Sequence, residues 1–474
     1  MVKRLFILIL FYASAIPFHV YAIDAVDVLI KNGTIVTMNN NGDIIQNGSI
    51  AILNDKIVYV GQKQEKDFTA KTIIDAQNGL IIPGLVNGHT HIPMSLFRGV
   101  ADDMELMDWL TNYIWPAEKL NVNPNFVYWG TKLGCLELIE SGTTTFVDMY
   151  FFEDVIAQAT EECGLRAILA QTLIDFPVPD NNQADADQRW ENGISLTESF
   201  IQKWKDHPLI TPAVGPHAPY TVSPDHLRVT SGLSKKHNVP FVIHVSETAH
   251  EAEIINDRYG SDAHSSIQYL HDLGVLSPLV IAAHAVWPTK NDVQLLSSSG
   301  TGVAHCPQSN LKLGSGVSPV PSMLDMEVPI CLGTDGAASN NDLNLWEEIN
   351  LAAILHKGVN HNPKELDAQK AFSMATILGA KAIHMDKSIG SLEPGKKADI
   401  VIVDRSSTHH IPYNNNNIYS ELVYATKGSD VSTVIVNGDI LLQNRTHNKL
   451  KKKEIVQKAK LLREMIDQSL KENR

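Results

Sequence analysis

Asn87-Gly88-His89-Thr90-His91 closes an apolar run, residues 80–86, with two histidines one residue apart. In an extended strand, residues i and i+2 project to the same side. His89 and His91 therefore present two imidazoles together at the end of the run. Three later runs end in the same manner. Residues 239–243 lead into His244-Val245-Ser246-Glu247, residues 279–283 into His284, and residues 329–332 into Gly333-Thr334-Asp335-Gly336. Polar side chains gathered at the C-terminal ends of successive strands are expected of a barrel whose chemistry sits on one rim.

Four more runs complete a set of eight: residues 143–147, 167–172, 210–214 and 302–304. Helical patterns such as 129–139 and 224–237 lie between them. Strand–helix alternation argues for parallel βα units. Eight such units over about 300 residues predict an α/β fold of the (β/α)8 TIM barrel type. The flanks read differently. Short strands at 27–37, 49–52, 56–61, 398–403 and 431–436 are punctuated by Gly, Asn and Asp. Neither flank is large enough to bury its own core, so the two are expected to pair into one small β-sandwich. The predicted organisation is a signal segment at 1–22, a composite β-sandwich at 23–81 plus 394–447, the barrel at 82–393 and a C-terminal helix at 448–474. In that helix Ile455, Ala459, Leu462, Ile466 and Leu470 share one face.

The 474 residues carry a formal net charge of -14, and 44% of them are hydrophobic. The acidic balance argues against nucleic acid or an anionic membrane surface as the main partner and leaves a small-molecule substrate. Lys3 and Arg4 precede an apolar run at 5–16 and a small-residue site at Val20-Tyr21-Ala22, the pattern of a secretory signal. The run falls short of the ~20 residues that span a bilayer. Cleavage after Ala22, a secreted or periplasmic location and no stable membrane insertion are expected. The four cysteines, Cys135, Cys163, Cys306 and Cys331, form no CxxC pair. They read as buried free thiols rather than a disulfide framework.

His89, His91, His244 and Asp335 together offer three nitrogens and one oxygen. That set suits zinc, with a water in the remaining position. Bound zinc lowers the pKa of such a water toward ~7. Glu247, three residues after His244, is placed to move protons, and His284 to orient the water. A single buried histidine ordinarily just satisfies a hydrogen bond. Four candidate ligands in barrel order are far harder to reach by chance.

Several longer motifs accompany these residues: 83–91 (PGLVNGHTH), 98–103 (RGVADD), 114–118 (IWPAE), 141–145 (SGTTT), 215–220 (GPHAPY), 305–313 (HCPQSNLKL) and 333–341 (GTDGAASNN). Through them the chain resembles the amidohydrolase superfamily. Within it, the chain is similar to the 5-methylthioadenosine/S-adenosylhomocysteine deaminases and, beside these, the triazine chlorohydrolases. The resemblance runs from about Asp27 to Asn444. It implies that His89, His91, His244 and Asp335 hold zinc, that Glu247 shuttles protons and that His284 positions water. It also implies that Glu118 holds ribose hydroxyls, that His217 faces the substrate and that Arg189, in a polar and irregular stretch, meets a homocysteine carboxylate. Gln171 stands near a position where some relatives carry a second arginine, which weakens the expectation of a carboxylate-bearing substrate. Relatives with two metals usually bridge them through a lysine on strand 4. Residues 210–217 contain none, so one zinc per chain is expected. The implied activity is deamination of an adenosine-type nucleoside by a homo-oligomer. The alternatives are guanine or cytosine deamination, triazine dechlorination, or a non-catalytic exported protein that binds zinc or another ligand.

Overall fold

The computed structural model describes residues 25–62, 67–182, 185–413 and 415–473. The expected signal segment, 1–22, lies outside the described residues. Eight parallel strands form one sheet in chain order: β1 (Leu85–Thr90), β2 (Thr143–Tyr150), β3 (Arg166–Leu173), β4 (Ile210–Pro216), β5 (Phe241–Val245), β6 (Val280–His284), β7 (Gly302–His305) and β8 (Ile330–Leu332). All eight are buried along nearly their whole length, as strands covered on both faces must be. Val86, Val147, Ile168, Val242 and Ile281 fill the barrel interior, and the helices pack outside on a second, larger apolar layer.

The barrel closes through the motif that opened the sequence. The Asp335 N–H donates to the His89 carbonyl at 2.9 Å. The Asn87 side-chain amide acts as a peptide substitute between β1 and the end of β8. It donates to the Thr334 hydroxyl at 2.8 Å and accepts the Thr334 N–H at 3.1 Å. Gly88 permits this approach, because a Cβ there would lie 2.0 Å from Cys331 Sγ.

The terminal segments form the small all-β unit expected of them, a nine-stranded sheet in which eight strands follow one path and Thr69–Asp75 pairs with Ala25–Val36 off it. Strand Leu80–Pro83 pairs antiparallel with Ile400–Val403, joining the two ends of the chain. Ile30, Ile52, Ile81, Ile400 and Ile435 share its core. The run 80–86, taken from sequence as one barrel strand, is therefore two strands in different sheets. The chain changes sheets at Gly84, where a Cβ would meet Thr144 Oγ1 at 2.0 Å. A buried ion pair ties the two units together: Arg166 at the start of β3 grips Asp399 with two bonds, 2.9 and 3.1 Å.

The C-terminal helix spans Lys452–Glu472 and buries Ile455, Ala459 and Ile466. It packs mainly on helix Pro124–Glu140. All four cysteines are buried free thiols. Among the described residues, no helix is long and apolar enough to cross a membrane.

Candidate active site

The strand ends bring His89, His91, His217, His244, Glu247, His284 and Asp335 together. All of these except fully buried His89 line one cavity of about 720 Å³, which Glu118 also lines. The backbone is forced at this rim. Ser246, His284, Ala285 and Asp335 all take positive φ, at 53°, 76°, 44° and 63°. Non-glycine residues adopt that region at a cost of order 1–3 kcal/mol, which the surrounding structure must sustain.

Hydrogen bonds fix which ring nitrogens point inward. His91 Nδ1 donates to the Met149 carbonyl at 2.5 Å, and His244 Nδ1 donates to the His217 carbonyl at 2.7 Å. Both therefore turn an unprotonated Nε2 to the centre. Those two Nε2 atoms lie 3.3 Å apart, where neither can donate to the other. Burial, with the neighbouring imidazoles, holds His89 and His244 well below the usual histidine range, so they remain neutral. Lone pairs converging in this way call for a cation between them. His91 Nε2 and His89 Nε2 stand 3.3 and 3.6 Å from Asp335 Oδ1. Zinc bonds of 2.0–2.1 Å in tetrahedral geometry separate their ligand atoms by about 3.3 Å. Moreover, neither ring nitrogen of buried His89 has a protein partner. The donor set fits zinc.

The outer contacts of this set are also ordered, as metal ligands require. Ser309 and Ser339 donate to Asp335 Oδ2 at 2.7 and 2.9 Å, and the Gly336 N–H donates to Oδ1 at 2.7 Å. His284 Nδ1 meets Asn310 Oδ1 at 2.9 Å, and its Nε2 lies 3.7 Å from Glu247 Oε2. His217 Nδ1 bonds Thr221 Oγ1 at 2.9 Å, and burial lowers its pKa to about 3.

The acids separate into two kinds. Burial, reinforced by the charges of Asp335 and Glu251, raises Glu247 well above the usual carboxylate range. Burial acts on Asp335 too, yet its pKa lies well below that range, with the Ser309 hydroxyl among the groups that lower it. One is held as the acid, the other as the carboxylate. Glu118, on helix Trp115–Asn121, is pushed up to about 7 by burial, against a smaller opposing effect of the Tyr150 hydroxyl.

Arg189 is not among the residues that line this cavity. It lies on helix Ala186–Trp204, is buried and donates to the Asp175 carbonyl at 3.3 Å. Gln171 is committed as well, donating to Asp180 at 2.8 Å. Sequence reasoning assigned no role to Ser309, Asn310 and Ser339, although all three lie inside the motifs quoted. It also missed Glu251, and an apolar wall formed by the loops after β1 and β3.

The histidine–aspartate set on a βα barrel defines a metal-dependent hydrolase. The chain belongs to the amidohydrolase family, whose model matches residues 80–441. It is 41% identical over 438 residues to the 5-methylthioadenosine/S-adenosylhomocysteine deaminase of Syntrophobacter fumaroxidans, covering 92% of this chain and 97% of that one. It is 42% identical over 420 residues to the 5'-deoxyadenosine deaminase of Methanocaldococcus jannaschii, covering 88% and 96%. Among solved structures, a zinc-bound adenosine deaminase from Xanthomonas campestris superposes with a TM-score of 0.89 at 35% identity, over 94% of this chain and 100% of that one.

Proposed function

We propose that the chain hydrolyses the exocyclic amine of an adenosine-type nucleoside and releases ammonia. The observation that carries this reading is one cavity that holds a zinc-fitting donor set together with Glu247, whose pKa is raised, Asp335, whose pKa is lowered, and a buried Glu118. His89, His91, His244 and Asp335 would hold a single zinc, and zinc so bound supplies an acidified water at neutral pH. Glu247 delivers its proton to a ring nitrogen beside the attacked carbon, then takes the proton left on the new hydroxyl group and passes it to the departing amine. His284, oriented by Asn310, fixes the water's direction of approach. Asp335, ionised at the start, accepts the water's first proton and returns it to Glu247 as ammonia leaves, so both groups recover their starting states. Overall one water enters and one ammonia leaves. Glu118, when ionised, accepts both hydrogens of a vicinal diol, which suits the ribose.

The experiment is incubation of zinc-loaded protein with adenosine, 5'-methylthioadenosine and S-adenosylhomocysteine while ammonia is measured. Release from at least one is expected, and release from none overturns the reading. We further read the first 22 residues as an export signal. A mature chain beginning at Ile23 outside the cytosol supports that, and one retaining Met1 within it removes the proposal.

A further inference from the structure

Much of the cavity is not needed by the reacting ring. The side of it formed by the loops after β1 and β3 is mainly apolar, with Thr111, Lys119 and Asn182 among its polar members. Trp109, Ile114 and Trp115 face it from one loop, and Ile174, Phe176 and Val178 from the other. Trp115 and Phe176 meet edge to face, with centroids 5.1 Å apart, so the two loops touch across this region.

Charge is distributed just as unevenly. Among the described residues lining the cavity, Lys119 is the sole lysine or arginine, and it is exposed at the rim. The carboxyl groups there are Glu118, Glu247 and Asp335. The β3 strand and loop carry no lysine or arginine from residue 167 to residue 188. The arginine that follows, Arg189, is turned to the Asp175 carbonyl. A carboxylate entering this compartment loses its hydration, gains no buried cation and approaches existing acids. An unpaired ion placed so is strongly disfavoured.

We propose that this compartment selects nucleosides whose 5' substituent is short, uncharged and apolar, an alkylthio group or a plain methyl, and rejects one ending in an amino acid. The inference rests on the nucleoside deaminase reading and names its substrate class. With the amine at the metal end and the ribose at Glu118, the apolar wall is what remains for the 5' group. Phe176, only partly buried, is a specificity-determining residue of that wall.

The test compares kcat/KM of the zinc enzyme for 5'-methylthioadenosine and S-adenosylhomocysteine. A ratio of tenfold or more in favour of the methylthio compound is expected, and a smaller ratio overturns the proposal while leaving deamination intact. Failure to deaminate either compound, or adenosine, instead removes the underlying reading. Phe176→Arg supplies the missing cation and should narrow the ratio at least tenfold. A folded Phe176→Arg enzyme with the wild-type ratio also counts against the assignment.

Discussion

The carboxylate of Glu251 accepts the backbone N–H of Glu247 at 2.6 Å, and its second oxygen accepts the Ser246 N–H at the same distance. One buried side chain thus holds the turn that presents the proposed proton carrier. Ser246 needs that support, because its φ is 53°. Glu251→Gln replaces one acceptor by a donor facing an N–H. A stability loss of about 1–3 kcal/mol is expected in thermal or denaturant unfolding. Misplacing Glu247 should also lower kcat about 10- to 100-fold. The pH profile separates positioning from simple loss of fold. Without the Glu251 charge, Glu247 loses its proton more easily, so the alkaline limb of kcat should move to lower pH. An unmoved limb would leave Glu251 with a structural role only.

Glu247 itself is tested by Glu247→Gln. The amide keeps the shape and carries no transferable proton. kcat should fall about 10^2- to 10^4-fold, while a non-hydrolysable nucleoside still binds within a fewfold of wild type by calorimetry. Turnover near wild type would take the proton shuttle away from this residue.

How much of this arrangement could be read from sequence depends on what fixed each part. The barrel was legible because buried parallel strands are short apolar runs, four of which here lead into histidine or aspartate motifs. His89, His91, His244, His284 and Asp335 could be placed by that rule alone. The sheet change at Gly84 could not, since residues on both sides of it are apolar and buried and no periodicity breaks there. The direction of Arg189 could not be read either. Its position in the chain was known, but its direction depends on how helix Ala186–Trp204 packs, and that packing sends it to Asp175. Glu251 acts through two hydrogen bonds across a turn and Asn310 through one to His284, which spacing does not announce.

The donor set predicts one metal per chain. β4, Ile210–Pro216, contains no lysine to bridge a second metal. Elemental analysis of protein purified without chelator should give close to one zinc. Asp335→Asn removes the anionic ligand and should lower zinc content at limiting metal as well as activity, and two tightly held ions per chain would contradict the assignment. Treatment with a chelator should abolish ammonia release, and one equivalent of zinc should restore it.

Glu118 predicts the acid limb of the pH profile. In the free enzyme burial pushes its pKa up to about 7. Below that pH it is a neutral acid with one hydrogen of its own to place, and it no longer receives both diol hydroxyls as a carboxylate. Above it, the ionised form is available for the ribose. kcat/KM, which reports the free enzyme, should therefore fall about tenfold per unit as pH drops below 7. In the complex, two hydroxyl donors stabilise the charged form and pull the pKa down. The corresponding limb in kcat should accordingly lie at lower pH, so acid raises KM more than it slows turnover. Glu118→Gln, uncharged at every pH, should lose this limb and show a raised KM throughout for ribosides. If Glu118→Gln instead keeps both the wild-type KM and the acid limb, the substrate is not held by its ribose at Glu118.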